Sequence, residues 1–327
     1  MQTKKLIQMV FLLSIVLFSI SCSTYNVQST TQASYVGFTK EMDEPSSRGQ
    51  LVRISPEQSN VHFRYCLSQD NENIVYSGTQ SGGSDNIVQL WKIPSNGNGS
   101  PIKLTSGGAS HKTSPSFTND GSFIVYSSNG QLWKIRSDGA GGKMKIPGSG
   151  MNQDFSPHVS KNNKVAFCSY QGSRSSNGSV KRSRYLIWAS NLDGGELTQL
   201  REGKFPYWSP DGSKIVFEHK NEIWLINADG TNLMQLTNTP KISEGLPTFS
   251  PDGLHIAYTS NEDSNGKPMT DYNIWTMNSD GAEKKQITEL DSWDSWPIWS
   301  SDGIYFVSAR AQQKSERNQR IWKLKTK

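Results

Sequence analysis

A six-fold internal repeat is the feature that most restricts the folds open to this protein. An aliphatic residue followed by tryptophan recurs along the sequence, and in the first five copies an Asx-Gly pair follows a few residues later. The six pairs are Leu90-Trp91, Leu132-Trp133, Ile187-Trp188, Ile223-Trp224, Ile274-Trp275 and Ile321-Trp322. A period of about 40–50 residues is typical of proteins built from stacked copies of one supersecondary unit.

A second signature precedes each tryptophan and has the composition of a tight turn. It reads Ser-Pro-Asp-Gly at residues 209–212 and 250–253, and weaker forms begin at Ser68, Thr118, Ser160 and Ser300. Proline presets φ, aspartate bonds to nearby backbone and glycine accepts a positive φ, so this segment predicts a hairpin turn. The Asx-Gly pair after the tryptophan predicts a second hairpin turn.

Each repeat is therefore predicted to be a four-stranded antiparallel meander, with strands A to D. In the fourth repeat, strand A ends at Trp208, strand B contains residues 215–217, strand C carries Ile223-Trp224, and strand D contains Leu236-Thr237. Such a sheet cannot bury both of its faces alone. Radial stacking of several such sheets predicts an all-β propeller.

The length of the sequence is consistent with six blades. The repeats are on average about 46 residues apart, and residues 51–327 supply 277 residues for six of them. The last copy ends on its third strand, which contains Leu324, so its outer strand is missing. Residues 51–55 have the pattern of that strand, and pairing of Val52 beside Leu324 would remove an exposed sheet edge. We therefore predict a six-bladed propeller whose last blade is completed by an N-terminal strand.

At this spacing, Ser-Pro-Asp-Gly, Ile-Trp, Asp-Gly and Leu-Thr together resemble the PD40 (WD40-like), or TolB-type, propeller repeat. The resemblance covers roughly residues 51–327 and does not extend to the α/β domain that precedes the propeller in TolB. It implies a cell-envelope propeller that acts as a protein-binding scaffold rather than an enzyme. The expected partner is an envelope protein or a peptide segment bound at the axial mouth.

Residues 1–21 have the layout of a secretory signal peptide. Lys4 and Lys5 precede an apolar stretch of about fifteen residues, which is short of the ~20 that a spanning helix needs. Cys22 follows small residues, an order similar to bacterial lipoprotein signals, in which this cysteine is acylated. Ser19 departs from that family, which usually has Leu or Val there. Lipidation of Cys22 is the favoured interpretation, and simple cleavage or an uncleaved anchor are the alternatives.

Residues 22–50 are rich in Ser, Thr and Gln without an apolar period, and predict a flexible tether. The lipid and the tether together predict a protein held on the periplasmic side of the bacterial envelope, at the outer membrane rather than the inner one. We also expect the protein to be a monomer.

Composition and motifs exclude several classes. Lys and Arg number 34 against 29 Asp and Glu, and two of the lysines fall in the signal peptide, so the basic surplus of a nucleic-acid-binding protein is absent. The sequence contains no Gly-x-Ser-x-Gly, no His-Glu-x-x-His and no phosphate-binding Gly-rich loop, and we predict no catalytic residue and no cofactor. Cys66 and Cys168 fall in non-adjacent blades, too far apart for a disulfide, and are expected to be buried free thiols.

Loop lengths predict which face binds. The A–B turns are uniformly tight, whereas the B–C connections vary, and extra loop on a rigid scaffold commonly carries function. On the B–C/D–A face, the residue six before each repeat's Ser or Thr is expected at the mouth of the axial channel, with Trp293 and Trp296 alongside. These residues are His62, Lys112, Asp154, Gly203, Glu244 and Asp294. They form either an acid-leaning pocket for a peptide segment or small ligand, or polar side chains that only hydrate the channel.

Three histidines support an alternative function. His62, His111 and His158 fall in strand A or just before it in the first three blades, and could meet near the axis and hold a metal, as in some propeller lyases. The alternative to the scaffold is therefore a carbohydrate- or small-ligand-binding propeller, possibly a metal-dependent lyase. Ordinary polar lining of the channel is the favoured interpretation of these histidines, and no metal site is predicted.

Overall fold

The computed structural model describes residues 50–57, 59–80, 86–174, 180–263, 265–289, 293–308 and 319–325. The predicted signal peptide, Cys22 and nearly all of the predicted tether lie outside the described residues. All regular structure within the described ranges is β. No helix in this part of the sequence is long and apolar enough to cross a bilayer.

The strands form six four-stranded antiparallel sheets, which are the blades of the predicted six-bladed β-propeller. The innermost strands, A, are β2 (Ser59–Leu67), β6 (Lys112–Phe117), β10 (Gln153–Val159), β14 (Lys204–Trp208), β18 (Glu244–Phe249) and β22 (Asp294–Ser300). The B strands are β3 (Asn73–Gln80), β7 (Phe123–Ser128), β11 (Lys164–Arg174), β15 (Lys214–His219), β19 (His255–Glu262) and β23 (Gly303–Ser308). The C strands are β4 (Gln89–Pro94), β8 (Gln131–Arg136), β12 (Val180–Asn191), β16 (Glu222–Asn227), β20 (Pro268–Asn278) and β24 (Arg320–Lys325). The outer strands, D, are β5 (Ile102–Lys103), β9 (Met144–Ile146), β13 (Thr198–Glu202), β17 (Met234–Gln235), β21 (Lys285–Gln286) and β1 (Gln50–Arg53).

The N-terminal strand closes the ring as the sequence predicts. β1 is the outer strand of the sixth blade and pairs antiparallel with β24, with Leu51 opposite Leu324 and Val52 opposite Lys323. The Ile54 N–H then donates to the Ile321 carbonyl at 2.8 Å. Because β22 also contacts β2, blade 6 is joined to blade 1 both by packing and by covalent connection.

The A–B turns have the predicted chemistry. In the fourth blade the Ser209 hydroxyl donates to Asp211, which also accepts from the Ser213 N–H at 3.0 Å, and Gly212 has φ +72°. These bonds favour the charged carboxylate and lower the pKa of Asp211 to about 2. The aspartate therefore stabilises its own turn.

The hydrophobic core lies between blades and not at the axis. Six clusters of buried residues fill the six blade–blade interfaces, one cluster to each. In every blade a fully buried aromatic residue of strand B stands directly opposite the repeat's tryptophan, as Tyr126 does opposite Trp133. Cys66 and Cys168 are both buried and free, in blades 1 and 3.

Candidate functional site: the axial pocket

A β-bulge recurs in five of the six innermost strands. In blade 2, for example, Ser114 and Pro115 together stand opposite the single residue Tyr126. The first residue of each bulge is not glycine but has a left-handed backbone, and the second is proline. The five first residues and their φ angles are Ser114 (54°), Ser156 (50°), Phe205 (54°), Leu246 (54°) and Trp296 (55°). A left-handed residue before proline is uncommon, and a bulge of this kind redirects the side chains near it.

Blade 1 departs from this pattern. Val61 pairs with Gly78 and Tyr65 pairs with Tyr76, so that three residues, 62–64, stand opposite one residue of β3. Arg64-Tyr65 occupies the place where the other five blades have a residue followed by proline. At this position blade 1 therefore has an arginine among the strands that surround the axis.

The Arg64 side chain reaches from blade 1 to three other blades. It is only 8% exposed, and its Nη1 donates to the Ser156 carbonyl at 3.4 Å. The guanidinium carbon lies 6.0 Å from the ring centroid of Tyr207 and 5.9 Å from that of Trp296. Burial lowers the pKa of Arg64 to about 10, which still leaves it protonated at neutral pH. Among the described residues, no carboxylate forms an ion pair with it.

Arg64 lines a cavity of about 410 Å³, which we call the axial pocket. The pocket extends along strand A from the bulges to the A–B turns, where Ser68, Ser160 and Ser209 belong to its lining. Its wall carries the aromatic residues Tyr65, Phe117, Tyr207, Trp208, Phe249, Trp296 and Trp299. The charged side chains among its described lining residues are Arg64 and Lys161, and this lining includes no Asp or Glu.

His158 also lines the axial pocket, in a position that keeps it neutral. Its ring stacks on Tyr207 with centroids 3.6 Å apart, and its Nδ1 accepts from the Trp208 N–H at 3.0 Å. Burial, with Arg64 adding to the effect, lowers the pKa of His158 well below its ordinary value. Burial, with His111 adding to the effect, also lowers the pKa of His62. Within the described ranges there is no group of three His, Cys, Asp or Glu residues that could hold a metal.

Three of the residues predicted at the channel mouth are buried, and each forms hydrogen bonds or an ion pair with neighbouring residues of the propeller. Asp154 accepts hydrogen bonds from the Ser149 and Ser169 hydroxyls. Glu244 accepts from Thr239 at 2.9 Å and pairs with Lys284 at 3.3 Å, and burial raises its pKa. The Lys112 ammonium donates to the Gly107 carbonyl at 2.7 Å. These three side chains do not line the axial pocket, and their binding role stays a prediction.

The other residues predicted at the channel mouth lie in different environments from one another. Asp294 is fully buried, and His62 lies within the wide bulge of blade 1 and hydrogen-bonds to Thr79 at 3.2 Å. Because of the extra residue, Val61 occupies in blade 1 the register position that Asp294 occupies in blade 6. Of the described residues predicted at the channel mouth, Trp296 alone lines the axial pocket.

The B–C/D–A face carries a separate group of aromatic side chains. The Tyr185 ring lies 5.4 Å from Tyr170 and 6.0 Å from Phe155, and Lys204 Nζ is 5.6 Å from its centroid. Lys204 also pairs with Glu218 at 2.7 Å. Trp293 stacks on the Tyr272 ring, with centroids 5.1 Å apart. This is the face that loop length predicts, so the molecule offers one candidate surface at each end of its channel.

Sequence reasoning missed Arg64, although a signal was present. Proline stands three residues before the repeat's Ser or Thr in five blades, and blade 1 has Tyr65 there. A comparison of the six repeats at that position would have marked blade 1 as different. The arginine beside Tyr65 would then have been the candidate.

Residues 181–327 match the family described as the TolB beta propeller domain, PD40. This part of the propeller is similar to the propeller of TolB proteins. It is 35% identical over 126 residues to the Tol-Pal system protein TolB of Anaeromyxobacter dehalogenans, a match that covers 36% of this chain and 27% of that protein. The chain therefore spans about a quarter of the length of that relative.

Solved structures share the propeller fold at low identity. A TolB from Agrobacterium tumefaciens, described as putative, superposes with a TM-score of 0.53 at 19% identity, covering 66% of this chain and 76% of that one. An oligogalacturonate lyase from Vibrio parahaemolyticus superposes with a TM-score of 0.57 at 14% identity, covering 86% of this chain and 95% of that one. At these identities the likeness establishes the fold alone.

Proposed function

We propose that this protein is a cell-envelope binding module: a propeller, lipid-anchored through Cys22, that binds a segment of a partner protein in its axial channel. The similarity to a TolB of the Tol-Pal system supports a protein partner. The order of charged, apolar and small residues before Cys22 supports export and acylation. We propose that the protein acts as a monomer on the periplasmic side, more at the outer membrane than at the inner one.

The axial pocket is the observation that carries the binding role. Its volume of about 410 Å³ suits a few side chains of an extended segment and not a folded domain. Its wall combines aromatic rings with a small number of polar groups, which is the usual composition of a binding site. Six rigid blades hold these rings in place, so little ordering would be needed on binding.

Two charge reversals at opposite ends of the channel test this proposal. Lys161→Glu changes an exposed residue of the pocket lining, and Lys220→Glu makes the same change in an exposed B–C turn. Tagged propeller is incubated with detergent-solubilised envelope, and a stoichiometric partner is quantified. We expect Lys161→Glu to reduce capture at least tenfold and Lys220→Glu to leave it unchanged.

The opposite outcomes are equally informative. Loss with Lys220→Glu alone would move the binding site to the face of Glu244 and Asp294, and Glu244→Gln would then be the next variant. A partner captured equally by both variants, or no stoichiometric partner at all, would contradict binding through the channel.

Membrane attachment has its own test. Cys22→Ala is expected to move the protein from the membrane fraction to the soluble periplasmic fraction. Cys66→Ala, which changes a buried thiol of the propeller, is the matched control and should leave the distribution unchanged. Retention of Cys22→Ala in the membrane would contradict lipidation.

A further inference from the structure

The Arg64 guanidinium lies at the inner end of the axial pocket, and no acidic side chain among the described residues pairs with it. The Arg64 guanidinium has five N–H donors, and the structure shows one hydrogen bond from it, to the Ser156 carbonyl. The faces of Tyr207 and Trp296 contribute cation–π attraction but accept none of the remaining donors in the way an oxygen does. Within the described ranges, most of the hydrogen-bonding capacity of this arginine therefore remains unused.

No described residue around Arg64 compensates its charge. Lys161 adds a second positive charge to the lining, and His158 is neutral because burial lowers its pKa. The aspartates of the A–B turns are not part of the described lining, and each is bonded within its own turn, as Asp211 is to Ser209. A buried charge is ordinarily paired, because an unpaired one carries a large desolvation penalty.

The position is also one that the fold does not require to be charged. The other five innermost strands pass the same point with a left-handed residue and a proline, and they close the same ring. Where a buried ion has only a structural role, an apolar side chain of similar volume is often as stabilising or more so. Binding of an anion is a reason to keep the arginine there.

We propose that Arg64 is a carboxylate-binding residue, and that the axial pocket takes a peptide carboxylate between the rings of Tyr207 and Trp296. The carboxylate belongs either to an acidic side chain or to the carboxyl terminus of a peptide. Arginine suits this ligand because its planar fork can donate two parallel hydrogen bonds to one carboxylate. The proposal rests on the proposed function in taking the ligand to be a peptide.

Three small probes test the chemistry on the wild-type propeller. N-acetyl-leucinate represents a peptide terminus, the α-amide of N-acetyl-glutamate represents an acidic side chain, and N-acetyl-leucinamide is the neutral match of the first. Each is titrated to millimolar concentration while the ¹H–¹⁵N signals of the tryptophan indoles are recorded. We expect at least one carboxylate to shift the Trp296 signal with an affinity at least tenfold above that of the amide. The tighter of the two acids identifies the source of the carboxylate.

Variants then connect the binding to the arginine. Arg64→Gln is expected to weaken carboxylate binding at least tenfold, and Arg64→Lys less, because lysine keeps the charge but not the fork. Arg201→Gln makes the same change at an exposed position of β13 and should bind as the wild type does. The acid–amide comparison needs no variant, so it tests the preference of the pocket for a carboxylate even if Arg64→Gln does not fold.

The outcomes separate this proposal from the proposed function. Equal binding of acid and amide, no shift with either acid, or unchanged carboxylate binding by Arg64→Gln would overturn the carboxylate site. If envelope capture is lost with Lys161→Glu but unaffected by Arg64→Gln, the binding module stands and the carboxylate site fails. If the probes bind through Arg64 and no envelope protein is captured, the carboxylate site stands and the protein partner fails.

Discussion

Truncation of Ile54 tests whether the N-terminal strand holds the ring closed. This side chain follows β1, is 3% exposed, and packs in the cluster between blades 6 and 1 together with Ile321 and Tyr305. Ile54→Ala removes three buried carbon groups, worth about 0.8 kcal/mol each in transfer free energy, and leaves a cavity. We expect the free energy of unfolding to fall by about 2.5–4 kcal/mol.

The assay is equilibrium unfolding in urea, followed by both tryptophan fluorescence and far-UV circular dichroism. Coincidence of the two transitions justifies a two-state free energy. Hydrogen exchange adds spatial resolution, because loosening of β1 should expose the β24 amides that pair with it. Exchange in Ile54→Ala should therefore increase at Lys323, whose N–H faces β1, and stay unchanged in β16, on the opposite side of the ring.

Leu254→Ala is the control, since Leu254 is 63% exposed and its truncation should change stability by no more than about 0.5 kcal/mol. An Ile54→Ala variant as stable as Leu254→Ala would show that the ring closes without the N-terminal strand. Faster exchange spread evenly over all blades would show that the strand stabilises the whole ring and not one interface.

Three further predictions concern the turns, one glycine and the thiols. Hydrogen bonds lower the pKa of Asp211 to about 2 in the folded state, so the contribution of its carboxylate to the free energy of unfolding is complete above about pH 4 and is lost as the pH falls to about 2. The urea midpoints of wild type and Asp211→Asn should therefore converge over that interval. Gly281 has φ +91° and an added Cβ would lie 2.7 Å from a backbone oxygen of the neighbouring blade, so Gly281→Ala should lose about 1–2 kcal/mol in the same assay, whereas Gly142→Ala, in open space, should lose almost nothing. Burial raises the pKa of Cys66 to about 12 and that of Cys168 further, so neither thiol should react with a disulfide reagent at pH 8 until urea is added; rapid reaction of the native protein would contradict their burial.

The fold could be predicted because its signals are local and repeated. Turn chemistry at residues 209–212 fixes one hairpin from four adjacent residues, and six copies of the unit leave few alternatives. The pairing of the segment around Val52 with the strand that contains Leu324 was also predictable, because the last repeat lacks an outer strand and residues 51–55 have the pattern of one. Each of these inferences depends on which residues are present, and none needs the conformation of an irregular segment.

The candidate site was less predictable because it depends on irregular backbone. Counting back six residues from each Ser or Thr placed His62 in the same ring as Asp154, and one extra residue in the bulge of blade 1 shifts that register. One partner of Asp154, Ser149, and one partner of Glu244, Thr239, come from D–A loops, whose paths no periodicity describes. A position in a repeat therefore indicates where a residue lies along a strand, but not which groups surround its side chain.

Arg64 differs from the repeated residues because its charge has no counterpart at the same position of the other five blades. Aspartates of the turns and tryptophans of the C strands recur around the ring, and their recurrence is explained by folding and packing. Arg64 is 8% exposed, and its one hydrogen bond among the described residues is to a carbonyl, so its charge carries a desolvation penalty that a neutral side chain of the same size would not. Binding of an anion would offset that penalty, because a ligand that binds the folded state alone stabilises it in proportion to its occupancy. Saturating N-acetyl-leucinate or the glutamate amide should therefore raise the unfolding temperature of the wild type, and the same addition should leave that of Arg64→Gln unchanged.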